Sequence, residues 1–481
     1  MNRGKKLKWL CRAIASMLVV ISISTACSNR NDVNPELTQP PAPAELNIWW
    51  EQGLNLDEDE AIKRIINDWQ QQTGNKVNLS LYSNNTLTDK AERAIRAGNP
   101  PDILMTPKAE RVLYPRLAWL GKLANVSDVI EPISDRYPQH ILRGITYYNA
   151  QEKERGYYGV PIYQTTMGIY YWQNLLADIG LAASDIPQDW SGFWQFWQQA
   201  QTKLNQKKHQ IYGLGLTLSG NESTDDTHYL FEQILEAYDI SILDKEGNLK
   251  LDSRVRQGIR DRLAWYADLY KRGFIPPDAV EWTNTDNNRS LLNQSVLMTP
   301  NGSLSIPATI RQDRETYRDR LGMVEFPAKP NDMPMRYLIF IRQAIIFQDS
   351  PHQSLAKDFL RYFIQPQISS EYLKATGGRN QPVQNSVWSD PYWQDSQDPY
   401  IIAIAKILRG KHTRLSYIVD NPAYSQVLAE NVWGKAIAKV TAEKINPDLA
   451  ADEAIARIET IFDRWQNFTV KEAMGVYSRS N

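Results

Sequence analysis

Short apolar runs alternate with amphipathic segments at the start of the chain's main body, and this alternation constrains the fold most strongly. Residues 46–50 (LNIWW), 77–82 (VNLSLY) and 102–105 (DILM) have the length and composition of strands. Between them, residues 57–72 and 88–97 have helical periodicity, and the first of these segments places four apolar side chains on one face: Ile62, Ile65, Ile66 and Trp69. The order β-α-β-α-β predicts an open α/β sheet.

The remainder of the body has mostly helical signals with interspersed strands. Ser191 is placed to cap a helix that turns Phe193, Trp194, Trp197 and Ala200 inward, and further helices are predicted over residues 255–271 and 353–363. Strand-like runs are residues 212–218, 296–298, 322–326 and 338–347. A chain of 481 residues is long enough for two or three domains.

The first 27 residues predict export. They begin with five basic residues, continue through an apolar stretch over residues 13–23 and end in the small residues Ser24, Thr25 and Ala26 before Cys27. The apolar stretch is about half the ~20 residues that a spanning helix needs. The segment resembles a lipoprotein signal, which implies that Cys27 receives a diacylglycerol and anchors a periplasmic or cell-surface protein to a membrane. The alternative is cleavage near Ala26, which would release a free protein.

Residues 28–44 are polar and contain four prolines, so they predict a flexible tether. The only cysteines are Cys11, inside the signal, and Cys27, so the mature chain can form no internal disulfide. Removal of the signal lowers 54 basic residues to 49 against 55 acidic ones, a net charge near −6. This balance argues against nucleic acid as a partner.

Five stretches then follow in a recognisable order. Residues 90–105 (KAERAIRAGNPPDILM) join a helix, a Gly, Pro-Asp and a strand, and residues 159–180 join Val-Pro, Tyr-Tyr and a helix that ends in Gly. Residues 187–196 (PQDWSGFWQF) enter a helix, residues 282–302 run to Met and Asn-Gly, and residues 356–383 hold Phe-Leu, Gly-Gly and Pro-Val. In this order, behind such a signal, they resemble the extracellular solute-binding proteins of family 1, which include the maltose-binding protein and serve sugar ABC importers.

The resemblance implies a two-lobe α/β fold of the periplasmic-binding-protein type (type II), with a ligand cleft between lobes that close about hinge segments. Lobe 1 would comprise residues 45–161 and 299–375, and lobe 2 residues 162–298 and 376–481. It also implies a monomer that captures a sugar or oligosaccharide, delivers it to an ABC transporter permease and needs no cofactor.

A sugar offers a face of C–H groups and an edge of hydroxyls, so its receptor needs aromatic rings together with planar donors and acceptors. Trp49, Trp50 and Glu51 end the first strand, at the edge where an open α/β sheet binds ligands. Adjacent strand side chains face opposite sides, so one tryptophan is expected to face the cleft, and Trp50 is preferred. Asn84 and Asn85 follow the second strand, although a polar turn without a ligand explains them equally well.

The remaining ligand candidates lie in loops and at the segments that the resemblance implies cross between the lobes, near residues 161–165, 300–303 and 376–382. A structural role is the alternative for each: core packing for Tyr163, Thr165 and Trp282, fixing of a strand start for Asp102, and an ion pair between lobes for Arg379. Glycine at a crossing lets backbone amides approach a ligand. The candidates are Asp102, Tyr163, Thr165, Trp282, Asn301, Gly302, Gly378 and Arg379.

No catalytic site is predicted. The acidic cluster at residues 57–60 begins a helix, where the helix dipole favours negative charge. None of the common hydrolase or nucleotide-binding motifs is present, and the five histidines lack ligand spacing, so no metal site is expected. The alternatives to a sugar-binding protein are a binding protein for a peptide, amino sugar or other polar solute and, less favoured, a secreted glycosidase or an adhesin.

Overall fold

The computed structural model describes residues 45–394, 397–410 and 412–466. The predicted signal, Cys27 and the predicted tether therefore lie outside the described residues. Within those ranges, no helix has the length and apolar character required to cross a membrane.

Strands and helices alternate along most of the described chain. The strands are β1 (Glu45–Glu51), β2 (Lys76–Tyr82), β3 (Ile103–Met105), β4 (Thr146–Asn149), β5 (Glu154–Tyr157), β6 (Val160–Thr166), β7 (Gly168–Trp172), β8 (Tyr212–Leu214), β9 (Val296–Asn301), β10 (Leu321–Val324), β11 (Tyr337–Ile346) and β12 (Thr413–Leu415).

The helices of the first half are α1 (Leu56–Thr73), α2 (Asn84–Arg96), α3 (Pro107–Val112), α4 (Tyr114–Trp119), α5 (Ser127–Ile130), α6 (Gln139–Gly144), α7 (Gln173–Asp178), α8 (Trp190–Gln206) and α9 (Asp226–Ala237). Those of the second half are α10 (Ser253–Lys271), α11 (Asp286–Leu292), α12 (Ser305–Ile310), α13 (Gln353–Phe363), α14 (Pro366–Ala375), α15 (Asn385–Trp388), α16 (Pro399–Arg409), α17 (Tyr424–Ala429), α18 (Val432–Thr441) and α19 (Pro447–Gln466).

Two larger sheets organise these elements. The first has the order β12-β11-β3-β1-β2, and β6 pairs with β11. β1 is parallel to β2 and β3, whereas β11 runs antiparallel to β3 and β6. The second sheet has the order β10-β7-β9-β8, and β4 and β5 form a separate hairpin. The predicted β-α-β-α-β start therefore forms one side of the first sheet.

The chain passes between the sheets at short segments. β6 ends in the first sheet at Thr166 and β7 begins in the second at Gly168, with only Met167 between them. A second passage leads from β10 to β11 over residues 325–336. The predicted lobe boundaries stay a prediction, and the pairing places β10 in the second sheet and β12 in the first.

Helix starts differ from the predicted ones where a nearby side chain caps better. Asp189, rather than Ser191, caps α8 by accepting a hydrogen bond of 2.8 Å from the Gly192 backbone N–H. The predicted inward face of this helix is confirmed, since Phe193, Trp194, Trp197 and Ala200 are all buried. Asn84 and Asn85 form the first turn of α2 rather than a free turn before it.

Trp50 belongs to the core of the first sheet. Its side chain is only 1% exposed, its ring lies 5.2 Å from that of Phe363, and its indole N–H donates a 3.1 Å hydrogen bond to the Tyr372 hydroxyl. Trp49 points to the opposite face, where it is half-buried and packs edge-on against Tyr82. The sequence predicts that Trp50 faces the cleft, but its ring is enclosed and has no free face on which a sugar could stack.

Trp50→Ala should lower the free energy of unfolding by about 3 to 5 kcal/mol, because a cavity replaces an enclosed aromatic ring. Trp49→Ala should cost less than half as much, because its ring is half-buried. Denaturant unfolding followed by circular dichroism measures both losses. Equal losses for the two variants would contradict this assignment of the strand's faces.

Candidate functional site

The carboxyl ends of β1 and β3 meet β6, β11 and the start of α9 at a buried polar cluster. Glu51 is the last residue of β1, and Arg111 lies in α3, directly after β3. Tyr163 and Arg342 are paired residues of β6 and β11. The set is called the inter-sheet cluster below and consists of Glu51, Glu58, Glu110, Arg111, Tyr163, Asp225, Asp226, Tyr229, Phe340, Arg342 and Arg379.

A buried ion pair joins the part of the cluster that lies on the first sheet and α3 to the part that lies at the start of α9. Arg111, 1% exposed, contacts the carboxylate of Asp225, which immediately precedes α9. Arg111 also donates a 3.0 Å hydrogen bond to the Pro107 carbonyl, and Asp225 accepts one of 3.0 Å from the Asn284 amide. Burial is the largest single influence and disfavours the ionised carboxyl, but the Arg111 charge, together with smaller contributions from His228, the Asn284 hydrogen bond and Arg342, lowers the pKa of Asp225.

Two further arginines of the cluster are each paired with a glutamate. The Arg342 guanidinium lies 3.2 Å from the Glu110 carboxylate, and both side chains are buried. Arg379 forms a two-pronged contact with Glu58 in the first turn of α1. Arg379 thus has the ion pair that the sequence leaves open for it, and the cluster contains three guanidinium–carboxylate pairs.

Two other carboxyls lie in the same environment without an arginine in hydrogen-bond contact. Burial raises the pKa of Glu51 to about 7, against the opposing charge of Arg379. Burial and then the neighbouring charge of Asp225 raise the pKa of Asp226 to about 7, although the Asn287 amide donates a 3.1 Å hydrogen bond to it. Both groups therefore exchange protons near neutral pH.

Aromatic rings of the cluster pack between the two sides. The Tyr229 ring in α9 lies 4.0 Å from that of Phe340 in β11, and the Arg111 guanidinium lies 5.3 Å from its centre. A Cβ on Gly302 would come within 3.6 Å of the Tyr229 ring, so the glycine brings the β9 end close to this surface. His228 beside Tyr229 stays neutral, since burial lowers its pKa to about 3.

Several polar atoms at this junction are buried and have no hydrogen-bond partner among the described residues. They include the Thr165 hydroxyl and the Nε of Arg111. The side-chain oxygen of Asn85, in the first turn of α2, is also buried without a partner among the described residues. Thr165 shares its strand face with Tyr163, two residues earlier. Unpaired buried groups cost about 1 to 3 kcal/mol each and often mark binding sites.

Glu51, Tyr163 and Arg379 are the predicted residues that the structure brings together. Gly302 lies beside Tyr229 and Asp226 of the same cluster, and Thr165 shares the strand face of Tyr163. Gly378 adopts a φ of 82° directly before Arg379, a backbone conformation that favours glycine.

Other predicted residues have structural partners. Asp102 lies at the opposite end of its strand from the cluster and accepts hydrogen bonds from the Asn47 N–H at 2.8 Å and the Ser350 hydroxyl at 2.5 Å. It therefore has the alternative role, the fixing of a strand start. Trp282 is buried, with its indole N–H 3.1 Å from the Asp278 carboxylate. Asn84 and Asn301 also have structural partners. The Asn84 side-chain oxygen accepts hydrogen bonds from the Thr106 hydroxyl and the Lys108 backbone N–H, and the Asn301 amide donates a 2.6 Å hydrogen bond to the Asn288 side-chain oxygen.

Sequence reasoning missed Arg111, Asp225, Tyr229 and Arg342. Arg111 comes shortly after β3, so the rule that selected Glu51 at the end of β1 could have found it. The pair Asp225-Asp226 before a helix carried a second signal. Arg342 had no periodic signal, because it lies with Gln343 in an otherwise largely apolar strand and its partner, Glu110, lies 232 residues earlier. Among the described residues, no group of three or more His, Cys, Asp or Glu side chains is arranged to hold a metal ion.

Glu51→Gln should make stability less dependent on pH. A carboxyl whose pKa rises on folding binds more protons in the folded protein, so its contribution to stability falls as pH rises. The fall should span about pH 4.5 to 7 and amount to roughly 1 to 3 kcal/mol after allowance for partial exposure. Urea unfolding from pH 5 to 8 should show a smaller decline for the variant than for the parent. The exposed Glu281→Gln should keep the parent's slope, and parallel slopes for all three proteins would refute a pKa of Glu51 that is raised by folding.

This chain and its architecture are similar to those of known proteins. The chain shares 20% identity over 389 residues with a multiple sugar-binding protein of Streptococcus mutans, covering 74% of this chain and 84% of that protein. An ABC transporter solute-binding protein of Thermotoga lettingae, solved with bound α-D-tagatose, matches at a TM-score of 0.70 and 19% identity over 87% of this chain and 99% of its own. A sugar transporter protein of Arthrobacter chlorophenolicus with bound laminaribiose has a TM-score of 0.68 and 15% identity, covering 86% and 99%.

These structural matches confirm the predicted two-lobe α/β fold. The family model of bacterial extracellular solute-binding proteins matches residues 64–399, more than two thirds of the chain. The chain therefore belongs to the bacterial extracellular solute-binding proteins.

Proposed function

We propose that this protein is the binding component of an ABC importer, which captures a neutral sugar or oligosaccharide at the inter-sheet cluster and delivers it to a membrane permease. The observation that carries the proposal is the buried cluster itself, where side chains of β1, β6 and β11 in the first sheet meet those of α3 and the start of α9. The similar proteins with bound tagatose and laminaribiose support the sugar class.

Hinge motion gives the cluster a way to admit and enclose a ligand. The connection between β6 and β7 is one residue long, so a small backbone rotation there would swing the second sheet and its helices relative to the first. Closure would bring Asp225 and Tyr229 against Arg111 and Phe340. A ligand that contacts both sides would shift the population toward the closed form by its differential affinity.

The charges of the cluster favour a neutral ligand. Each of the three arginines already faces a carboxylate, and the pKa values of Glu51 and Asp226 near 7 let these two groups carry a proton. No arginine is left to attract an anion. The hydroxyls of a sugar could use the remaining lone pairs and N–H groups, while Tyr229 and Phe340 supply aromatic surface.

A charged solute, such as a peptide or an amino sugar, is the alternative ligand class. Its affinity should fall clearly as salt rises, whereas the affinity of a neutral sugar should not. A glycosidase is a further alternative, because it needs two carboxyls on either side of a sugar. We propose binding without catalysis, since the family and the similar proteins are binding proteins.

A thermal-shift screen of neutral mono- and oligosaccharides on the mature protein should yield a stabilising ligand. At 100 times its dissociation constant, a ligand adds about 2.7 kcal/mol to the free energy of unfolding. Tyr229→Ala should lose this response because it removes an aromatic ring of the cluster, whereas Tyr212→Ala, in the outer strand β8, should keep it. A screen without any stabilising sugar would refute the proposed ligand class.

The same ligand should lower the radius of gyration in small-angle X-ray scattering, because closure brings the lobes together. Product analysis after incubation should return the sugar unaltered. Recovery of hydrolysed sugar would support the glycosidase instead.

Cys27→Ser should release the protein from membranes without changing its melting temperature. We propose that Cys27 is lipidated and that residues 28–44 hold the body away from the membrane surface. The parent and the variant are compared by membrane fractionation of the cells that express them. Retention of the variant in the membrane fraction would exclude an anchor at Cys27.

A further inference from the structure

A pocket lies away from the inter-sheet cluster, between helices α8 and α10. It is an open concavity of about 530 Å³ whose aromatic lining is Trp190, Trp194, Tyr238, Trp265 and Phe274. Tyr238 directly follows the last residue of α9, whereas Asp226 of the cluster is its first. Twelve helical residues separate the two positions by about 18 Å, so the pocket and the cluster are distinct.

The aromatic side chains of this pocket form a connected group. The Trp194 ring lies 5.1 Å from Trp265 and 5.7 Å from Trp190, which lies 5.7 Å from Tyr238. Trp265, Tyr238 and Phe274 are half-buried, so part of each ring lines the open space. The indole N–H of Trp194 is buried and has no hydrogen-bond partner among the described residues. Trp194 is among the residues that line the pocket.

The α8 side of the pocket is polar but uncharged. Four exposed side chains of this helix line the pocket, spaced at four, four and three residues along one face: Ser191, Gln195, Gln199 and Thr202. Lys203 is the sole charged residue among the 17 of α8, and it does not line the pocket. On the α10 side, Arg272 pairs with Asp268 at 3.0 Å, so these two charges offset each other.

An exposed helix face usually carries charges for solubility, so a stripe of amides and hydroxyls beside aromatic rings calls for a specific explanation. Amides offer both a donor and an acceptor to a vicinal hydroxyl pair, and an indole ring covers the C–H face of a sugar. The absence of unpaired charge in the pocket's lining disfavours an ionic ligand. The volume falls within the usual range for small-molecule sites.

We propose that this pocket, called the outer aromatic pocket, binds a segment of a neutral polysaccharide chain. It is a second carbohydrate site on the outside of the second sheet's helices. It would hold a polymer near the protein while released sugars enter the inter-sheet cluster. Polysaccharide binding at the outer aromatic pocket depends on its own lining alone, and only the entry of released sugars into the inter-sheet cluster rests on the proposed function.

Native affinity electrophoresis of the mature protein tests this proposal. The gels contain soluble starch, laminarin, dextran or galactomannan, and mobility is compared with that in a gel without polysaccharide. At least one polymer should retard the parent. Gln195→Glu with Gln199→Glu should weaken the retardation roughly tenfold, which corresponds to about 1.4 kcal/mol, because the new charges must be desolvated against an uncharged chain.

Gln206→Glu is the matched control for the single variant Gln199→Glu, because it places one negative charge at an exposed glutamine of the same helix outside the pocket. It should keep the parent's retardation. The single variant Gln199→Glu gives a second test if the double variant melts early. Tyr229→Ala should also keep the retardation, and this separates the outer aromatic pocket from the inter-sheet cluster.

Three results would overturn the proposal. One is no retardation by any of the four polymers. Another is retardation that Tyr229→Ala abolishes and the Gln195/Gln199 variants leave intact, which would assign polymer binding to the inter-sheet cluster. The last is a dimer in light scattering that the Gln195/Gln199 variants dissociate, which would assign the pocket to a second copy of the chain.

Discussion

The antiparallel pairing of β6 with β11 is the constraint on which the rest of the structure depends. Ala344 of β11 pairs with Val160 of β6 on one edge and with Met105 of β3 on the other. β11 therefore links the amino-terminal strands to β6, the last strand before the chain passes to the second sheet. The register shifts between Arg342 and Gln343, opposite Pro161, which has no backbone N–H to donate. Such irregularities re-aim side chains, and this one lies beside the pair Tyr163–Arg342.

Three buried guanidinium–carboxylate pairs in one cluster are better explained by function than by stability. Removing two charges from water costs several kcal/mol per ion, and their attraction repays this only when the geometry is good. Apolar residues of similar size would often stabilise the fold as well or better. The Arg111–Asp225 pair joins α3 to the residue that precedes α9, so it exists only when these two elements are together. Opening would separate the two charges and expose them to water. Because hydration would then replace their mutual attraction, the net cost in free energy would be small.

Local pattern was sufficient to predict much of the fold. The alternation of residues 46–105 predicted β1, α1, β2 and β3 within a residue or two, because each has a clear period and Gly74 ends α1 in the left-handed conformation. The start of α2 was predicted four residues late, since Asn84 and Asn85 were interpreted as a turn. Propensity disfavours asparagine in a helix interior, but Asn84 accepts hydrogen bonds from Thr106 and Lys108 across the sheet edge.

The candidate site was predictable only where local rules apply. Glu51 could be predicted as a site residue from its place at a strand end, and Arg379 from its place directly after two glycines in a segment expected to cross between the lobes. The distinction between Trp49 and Trp50 did not follow, because strand alternation states that they face opposite sides and not which side is enclosed. The enclosing residues, Phe363 and Tyr372, lie more than 300 residues away in sequence. Pairs at such separation leave no periodic trace in one sequence.

Helix α9 connects the two carbohydrate sites that we propose and also explains why they would act independently. Asp225 and Asp226 lie at its amino end, where the helix dipole favours negative charge, and Tyr238 follows its carboxyl end in the outer aromatic pocket. The other walls of that pocket come from α8 and α10, which belong to the same side of the molecule as β8 and β9. A hinge rotation between β6 and β7 would carry α8, α9 and α10 together. Opening and closing at the inter-sheet cluster would thus leave the outer aromatic pocket unchanged, so a polymer could stay bound there through successive cycles of capture and release.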